Sequence, residues 1–377
     1  MERPRDARMT WVTPAGWGRA GRAGGIAVAV LVAAGCQDAA PFDTTPPDEL
    51  VCSLDPNLLF TSLPPDAIPA VNEPPMVAAD APQADYLFDD DRVLGVVLNG
   101  EARAYPHNIL WHHEIVNDVV GGSPVSVTFC PLTGSGIAFR PEVDGTLLDL
   151  GVSGLLFANN LVLYDRNDGE VYGAQLAIEG SCGSFRGSSL ELLPVQEMSW
   201  GRWKALNPET RVVSGELRYG RNYRVYPYGN YDDTTNPDLI QPMPVDDARP
   251  LKERVLAIRD GSGGRGYPYG ELLSMGRTVA INETVAGVPS VIFYESRSGE
   301  AALAFDARVD GNTLTFEANP AAGNWTDIET GSTWRIDGVA SDGPLARERL
   351  RTREDAYTLF WFAWRHFQPD GRLFTAP

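Results

Sequence analysis

Short apolar, β-branched runs recur along the chain at 93–98, 125–129, 137–139 and 161–164, separated by Gly, Asn and Asp. Runs of that length bounded by turn formers predict strands joined by hairpins. Residues 109–116 read as a short helix inserted between strands. Two further segments, 198–206 and 357–367, carry Trp at i and i+3 (Trp200 with Trp203, Trp361 with Trp364) on one apolar face. Asn207-Pro208 and Gln368-Pro369 stop them, so both read as amphipathic helices whose Trp pairs anchor a core.

The pattern occurs twice. Asp91-Arg92-Val93-Leu94-Gly95-Val96 recurs as Glu253-Arg254-Val255-Leu256-Ala257-Ile258, and Tyr105-Pro106 as Tyr267-Pro268. Both pairs lie 162 residues apart (255 − 93 and 267 − 105). Tyr164-Asp165 and Asp168-Gly169 face Thr326-Asp327 and Thr330-Gly331 at the same spacing, and the Trp-Trp-Pro endings follow in order. Repetition of this kind predicts a β-rich α+β fold of two tandem homologous β-domains, each with short helices, the second copy degenerate. The expected divisions are a leader at 1–36, a tether at 37–62, a first copy at 63–235, a Pro- and Asp-rich linker at 236–250 and a second copy at 251–377. Asp165 and Asp168, shared in part by both copies, read as turn residues.

Composition adds limits. The 377 residues are 43% hydrophobic, enough for packed cores and against global disorder. The 38 Gly and 29 Pro favour turns over long helices. A net charge of −19 argues against nucleic acid as a partner and suits solubility or a cationic ligand.

The N-terminus reads as an export signal: Arg3, Arg5, Arg8, Arg19 and Arg22 precede an apolar run over 25–35, too short to span a bilayer. Ala33-Ala34-Gly35-Cys36 resembles a bacterial lipobox, in which Cys36 becomes the lipidated first residue. The expectation is an exported lipoprotein, anchored to a membrane through Cys36 and facing the periplasm or the cell exterior, with a protein or small molecule as its further partner.

Reactive residues are divided unevenly between the copies. His107, His112, His113, Glu114 and Cys130 fall in the first, while the second has Tyr269, Ser274, Met275 and Gly276 at the first four positions. A residue shared by both copies serves the fold; a reactive one confined to a single copy is the better functional candidate. Imidazole and thiolate suit copper, or else zinc, which gives His113, Cys130, His112 and His107 as a candidate ligand set with Glu114 orienting it. The same residues suit a thiol-dependent enzyme, with Cys130 as nucleophile, His113 as base and Glu114 or Asn117 orienting it. A third reading is a non-catalytic binding module that uses the Tyr-rich segment 218–231, with Tyr223, Tyr226 and Tyr228 as ligand contacts. Beyond Cys36, three cysteines remain, and an odd number leaves one over. The favoured pair is Cys52 with Cys182, which keeps Cys130 free. No His follows Glu114 at zincin spacing, and the Gly-rich 261–266 reads as a hairpin loop.

Several stretches resemble the DUF3179 family: 99–106, then His113-Glu114-Ile115-Val116-Asn117-Asp118, then Cys130-Pro131-Leu132-Thr133-Gly134-Ser135, and Gly151-Val152-Ser153-Gly154 with the Tyr164-Asp165 segment. Ala67-Ile68-Pro69-Ala70 is similar to that family's opening motif. The resemblance covers about 65 to 230, with the second copy a diverged echo. Several members carry a second Cys where this chain has Thr133, so a Cys-x-x-Cys pair is not expected here. The family implies no activity. It does imply that His113, Glu114 and Cys130 belong together.

Overall fold

The computed structural model describes residues 52–377. The leader, Cys36 and the first part of the tether lie outside the described residues. The described residues are β-rich, with four α-helices of seven residues each.

In the first half, β1 (Arg92–Leu98) and β2 (Glu101–Pro106) form a hairpin. Then come α1 (His107–His113), β3 (Ile115–Val120), β4 (Ser123–Cys130) and β5 (Ser135–Arg140), the three strands antiparallel in sequence. A third sheet holds β6 (Leu150–Phe157), β7 (Asn160–Asp165) and β8 (Val171–Ala174). The half closes with β9 (Gln196–Ser199), which returns to pair with β1, and α2 (Trp200–Leu206).

The same order follows again. β10 (Arg254–Asp260) and β11 (Gly263–Pro268) are a hairpin, followed by α3 (Tyr269–Met275). β12 (Thr278–Val285), β13 (Val288–Glu295) and β14 (Ala301–Asp306) form the next sheet. β15 (Phe316–Asn319) and β16 (Asn324–Asp327) form a shorter hairpin than β6–β7. β17 (Ala356–Phe360) then pairs with β10 and leads into α4 (Trp361–Phe367).

Successive side chains of a strand point to opposite faces, and here both faces are covered, so the strands read as continuous apolar runs. On β1, Leu94 and Val96 pack with Val116, Val127 and Phe129 of the neighbouring sheet in the same half. Val93 points the other way, with Trp203, into a core shared with Phe293, Leu303 and Phe305 of the second half. On β10, Leu256 and Ile258 meet Ile281, Ile292 and Tyr294, while Val255, Leu359 and Trp364 share a core with Ile137, Phe139 and Leu163 of the first half. Each hairpin sheet therefore lies between a sheet of its own half and one of the other. The described residues belong to a single compact unit. Among them, no helix is long and apolar enough to cross a membrane.

The three helices read from sequence begin or end elsewhere. The helix expected over 109–116 starts earlier and stops at His113, because Glu114 takes a left-handed backbone (φ 57°) and Ile115 opens a strand. The two Trp helices begin at Trp200 and Trp361, their preceding residues extending the last strand of each half. All four Trp are buried. Asp165 accepts from the N–H groups of Asp149 and Asn167, and Asp327 from Thr330, Ser332 and the Trp334 indole, so both hold turns together.

Candidate functional site

α1 sits between β2 and β3 and ends abruptly. The Glu114 N–H donates to the Leu110 carbonyl, closing the helix, and its carbonyl accepts from Phe129 N–H on β4. That double tie holds a non-glycine residue at positive φ, a conformation costing about 1–3 kcal/mol. It also turns the Glu114 side chain inward, where the residue is 5% exposed. Burial pushes the carboxyl up to about 8, held back by a hydrogen bond with Tyr228.

Cys130, the last residue of β4, is buried beside this carboxyl. Its thiol donates to the Asn159 carbonyl in the β6–β7 turn at 3.5 Å and accepts from the Leu161 N–H on β7 at 3.4 Å. Burial and the neighbouring Glu114 push it up to about 11, against hydrogen bonds from Thr133 and Leu161. An activated thiolate needs the opposite environment, a cation or a helix N-terminus. Cys52 and Cys182 are joined by a disulfide, and Cys130 is the free cysteine among the described residues.

Three tyrosines close over this pair from residues 214–253, a stretch without helix or strand. A connection that long inside a packed molecule is commonly a functional loop. Tyr228 and Tyr226 lie with ring centroids 5.5 Å apart, and Trp111 of α1 meets Tyr226 edge-on at 5.0 Å. Tyr231 donates to the Leu132 carbonyl at 3.0 Å, and the Tyr226 hydroxyl is buried with no hydrogen-bond partner among the described residues. Burial raises all three hydroxyls above the ordinary phenol range, and each lies near enough to Cys130 for the thiol to add to the rise.

The histidines point elsewhere. His113 Nδ1 lies 2.7 Å from the Pro69 carbonyl, which can only accept, so Nδ1 carries the proton. Nε2 is then the acceptor for the Tyr223 hydroxyl at 2.8 Å. Burial lowers this imidazole to about 4, so it is neutral with both nitrogens engaged. His107 lies against Phe129 with Nε2 3.7 Å from Glu197, and burial lowers it to about 3. His112 reaches the Val225 carbonyl at 3.2 Å. Of the expected copper or zinc ligands, His112 and His113 both face Tyr223, while His107 and Cys130 have other partners. Among the described residues, no group of three His, Cys, Asp or Glu side chains is placed to hold a metal ion. Nor does His113 stand as a base beside Cys130, since its acceptor nitrogen is taken by Tyr223. Asn117 bonds to Asn72, Ser126 and Leu150, away from the thiol.

What reading the residues missed is a buried polar network next to Cys130. The Asn160 amide donates to Thr133 and to Gln175, Ser135 donates to Gln175, and Gln175 donates to Thr128. A closed network of this kind fixes the β6–β7 turn against β4 and β5. The second half has Phe293 and Ala301 at the places of Thr128 and Ser135 on β13 and β14. The comparison between copies, applied to hydroxyls as well as to His and Cys, would have found it.

The chain belongs to the family described as protein of unknown function (DUF3179), whose model matches residues 65–371 and so runs through both halves. No curated protein and no solved structure matches it.

Proposed function

We propose that the chain is an exported lipoprotein, held to a membrane through Cys36, whose first half binds a small organic cation beneath the 218–231 segment. Glu114 is the recognition group, and Trp111, Tyr226 and Tyr228 supply aromatic faces. The two halves descend from one duplicated unit, and the second keeps the scaffold without the site. The observation that carries this reading is a buried carboxyl on a strained backbone with aromatic rings around it and, among the described residues, no cation beside it. Strain and unpaired burial persist where function requires them. A cation entering would restore the carboxylate and face the rings, and the net charge of −19 favours its approach. Repetition of element order, with Gly276 at the place of Glu114, supports the duplication.

Calorimetry of the full chain with tetramethylammonium and small primary amines, in two buffers of different ionisation enthalpy, tests the binding. Near pH 7 the expected result is saturable binding with release of up to one proton, and loss of both in Glu114→Gln. Absence of binding in the wild type, or affinity unchanged in Glu114→Gln, would overturn the reading. The thiol-enzyme alternative has less support, because burial and Glu114 both oppose ionisation of Cys130.

A further inference from the structure

A second site lies away from Glu114, in an open cleft of about 710 Å³ between the disulfide loop of the first half and α4 of the second. Phe157 at the end of β6 and Phe367 at the end of α4 form its apolar wall, with ring centroids 6.0 Å apart, and His366 flanks Phe157 at 5.8 Å. Arg186 and Arg259 line the same space. Arg186 is exposed, with no hydrogen bond or ion pair among the described residues. Arg259 uses its Nε on the Gly261 carbonyl at 3.1 Å, leaving its terminal nitrogens for another acceptor. The loop bearing Arg186 follows Cys182, so the bond to Cys52 fixes that wall.

The other half of the molecule supplies a control. Val97 occupies on β1 the place that Arg259 has on β10, and Ala205 and Leu206 end α2 where His366 and Phe367 end α4. There Val97 and Leu206 are both partly buried and packed against the core. Where the fold's own solution is apolar packing, this cleft has a guanidinium and an imidazole instead. An Arg held on an apolar wall matches a planar carboxylate or sulfonate bidentately. Glu179 on the rim and Asp55 near His366 set a limit on the negative charge that fits.

We infer that this cleft binds an aromatic monoanion, its ring against Phe157 and Phe367 and its acidic group between Arg186 and Arg259. The site is independent of the Glu114 reading, and neither stands or falls with the other. Fluorescence titration of the full chain with 8-anilinonaphthalene-1-sulfonate tests it, with 1-naphthoate as competitor. The expected result is a single saturable site, displaced by 1-naphthoate and weakened about tenfold in Arg259→Val, since a charge-assisted hydrogen bond is lost. The exposed and unpartnered Arg186→Ala should weaken binding too, without touching the fold, and so serves if Arg259→Val is unstable. No saturable binding in the wild type, affinity unchanged in Arg186→Ala and in folded Arg259→Val, or equal affinity for the uncharged N-phenyl-1-naphthylamine would overturn the inference.

Discussion

α1 and α3 hold the same position in the two halves and finish in opposite ways. α3 ends on Gly276 at φ 145°, a conformation open to glycine; α1 ends on Glu114 at φ 57°. One strand further on, β4 ends on the unpaired thiol of Cys130, while β13 ends on Glu295, whose carboxylate lies 2.9 Å from Arg202. Around α1 the tyrosine segment folds back over Trp111, His112 and His113. Leu273 and Met275 of α3 stay exposed. In the second half the two corresponding positions carry a glycine and an ion-paired carboxylate. In the first, a carboxyl is buried with no cation beside it among the described residues, and the backbone bends the wrong way to put it there. The scaffold has a relaxed solution for this turn, so the strain at Glu114 is not required by the element order that the two halves share.

The sharpest way to break that contrast is the pH dependence of stability. Glu114 is raised to about 8 in the folded chain, against an ordinary carboxyl near 4.3 when unfolded. Between those values the folded state keeps a proton that the unfolded state has lost, so stability is full below about pH 4 and falls as pH rises to about 8. The loss amounts to several kcal/mol by that linkage. Glu114→Gln removes the titration, so its stability relative to wild type should climb steadily from pH 5 to pH 8. Urea unfolding of both proteins across that range measures it. Parallel curves would mean that Glu114 ionises as freely as a surface carboxyl, and the contrast with Gly276 would lose its energetic content.

A second difference concerns how each half seats its tryptophans. In the β1–β2 register Gly95 faces Ala104; in the β10–β11 register Ala257 faces Gly266. Glycine and alanine have changed strands. Trp203 lies over Gly95, where an added methyl would overlap its ring, and Trp364 lies over Gly266, where a methyl would come within 2.6 Å. Gly95→Ala should cost about 1–3 kcal/mol by overpacking. Gly266→Ala should cost less, its ring lying slightly further off. Thermal unfolding of the two variants gives the ranking, and equal stability of Gly95→Ala and wild type would show that Trp203 has room to move.

Much of this was legible in the residues. The repeated strand order follows from short apolar runs between turn formers, and the Trp helices from i, i+3 spacing. Cysteine counting leaves one thiol over without choosing it; the bond itself joins Cys52 to Cys182, 130 residues apart in the chain. The limit came where direction matters. Ile115 and Val116 fit the apolar period of a helix as well as they fit β3, and only the turn at Glu114 decides. Spacing along α1 puts three histidines close in sequence but says nothing of which way each ring faces, and they separate toward Glu197, Val225 and Tyr223. The network of Thr128, Thr133, Ser135, Asn160 and Gln175 joins three strands, a turn and a short 3-10 helix, so no local pattern announces it. The Arg186–Arg259 cleft joins both halves and is equally silent in sequence.

The smallest effect tests the cover over α1. Tyr223 donates to His113 Nε2, a bond with no counterpart at α3, where Met275 stands exposed at the place of His113. Tyr223→Phe keeps the ring and leaves a buried acceptor unpaired, a loss of about 1–2 kcal/mol. If the 218–231 segment is what separates the first half from the second, loosening it should make α1 resemble α3 and expose what lies beneath. The readout is alkylation of Cys130 by iodoacetamide in the native chain, slow in wild type because the thiol is buried and raised to about 11. Tyr223→Phe should speed it several-fold at the same pH. A rate that does not change would mean that Tyr226, Tyr228 and Tyr231 hold the cover by themselves, and that the His113–Tyr223 bond serves only to fix the imidazole.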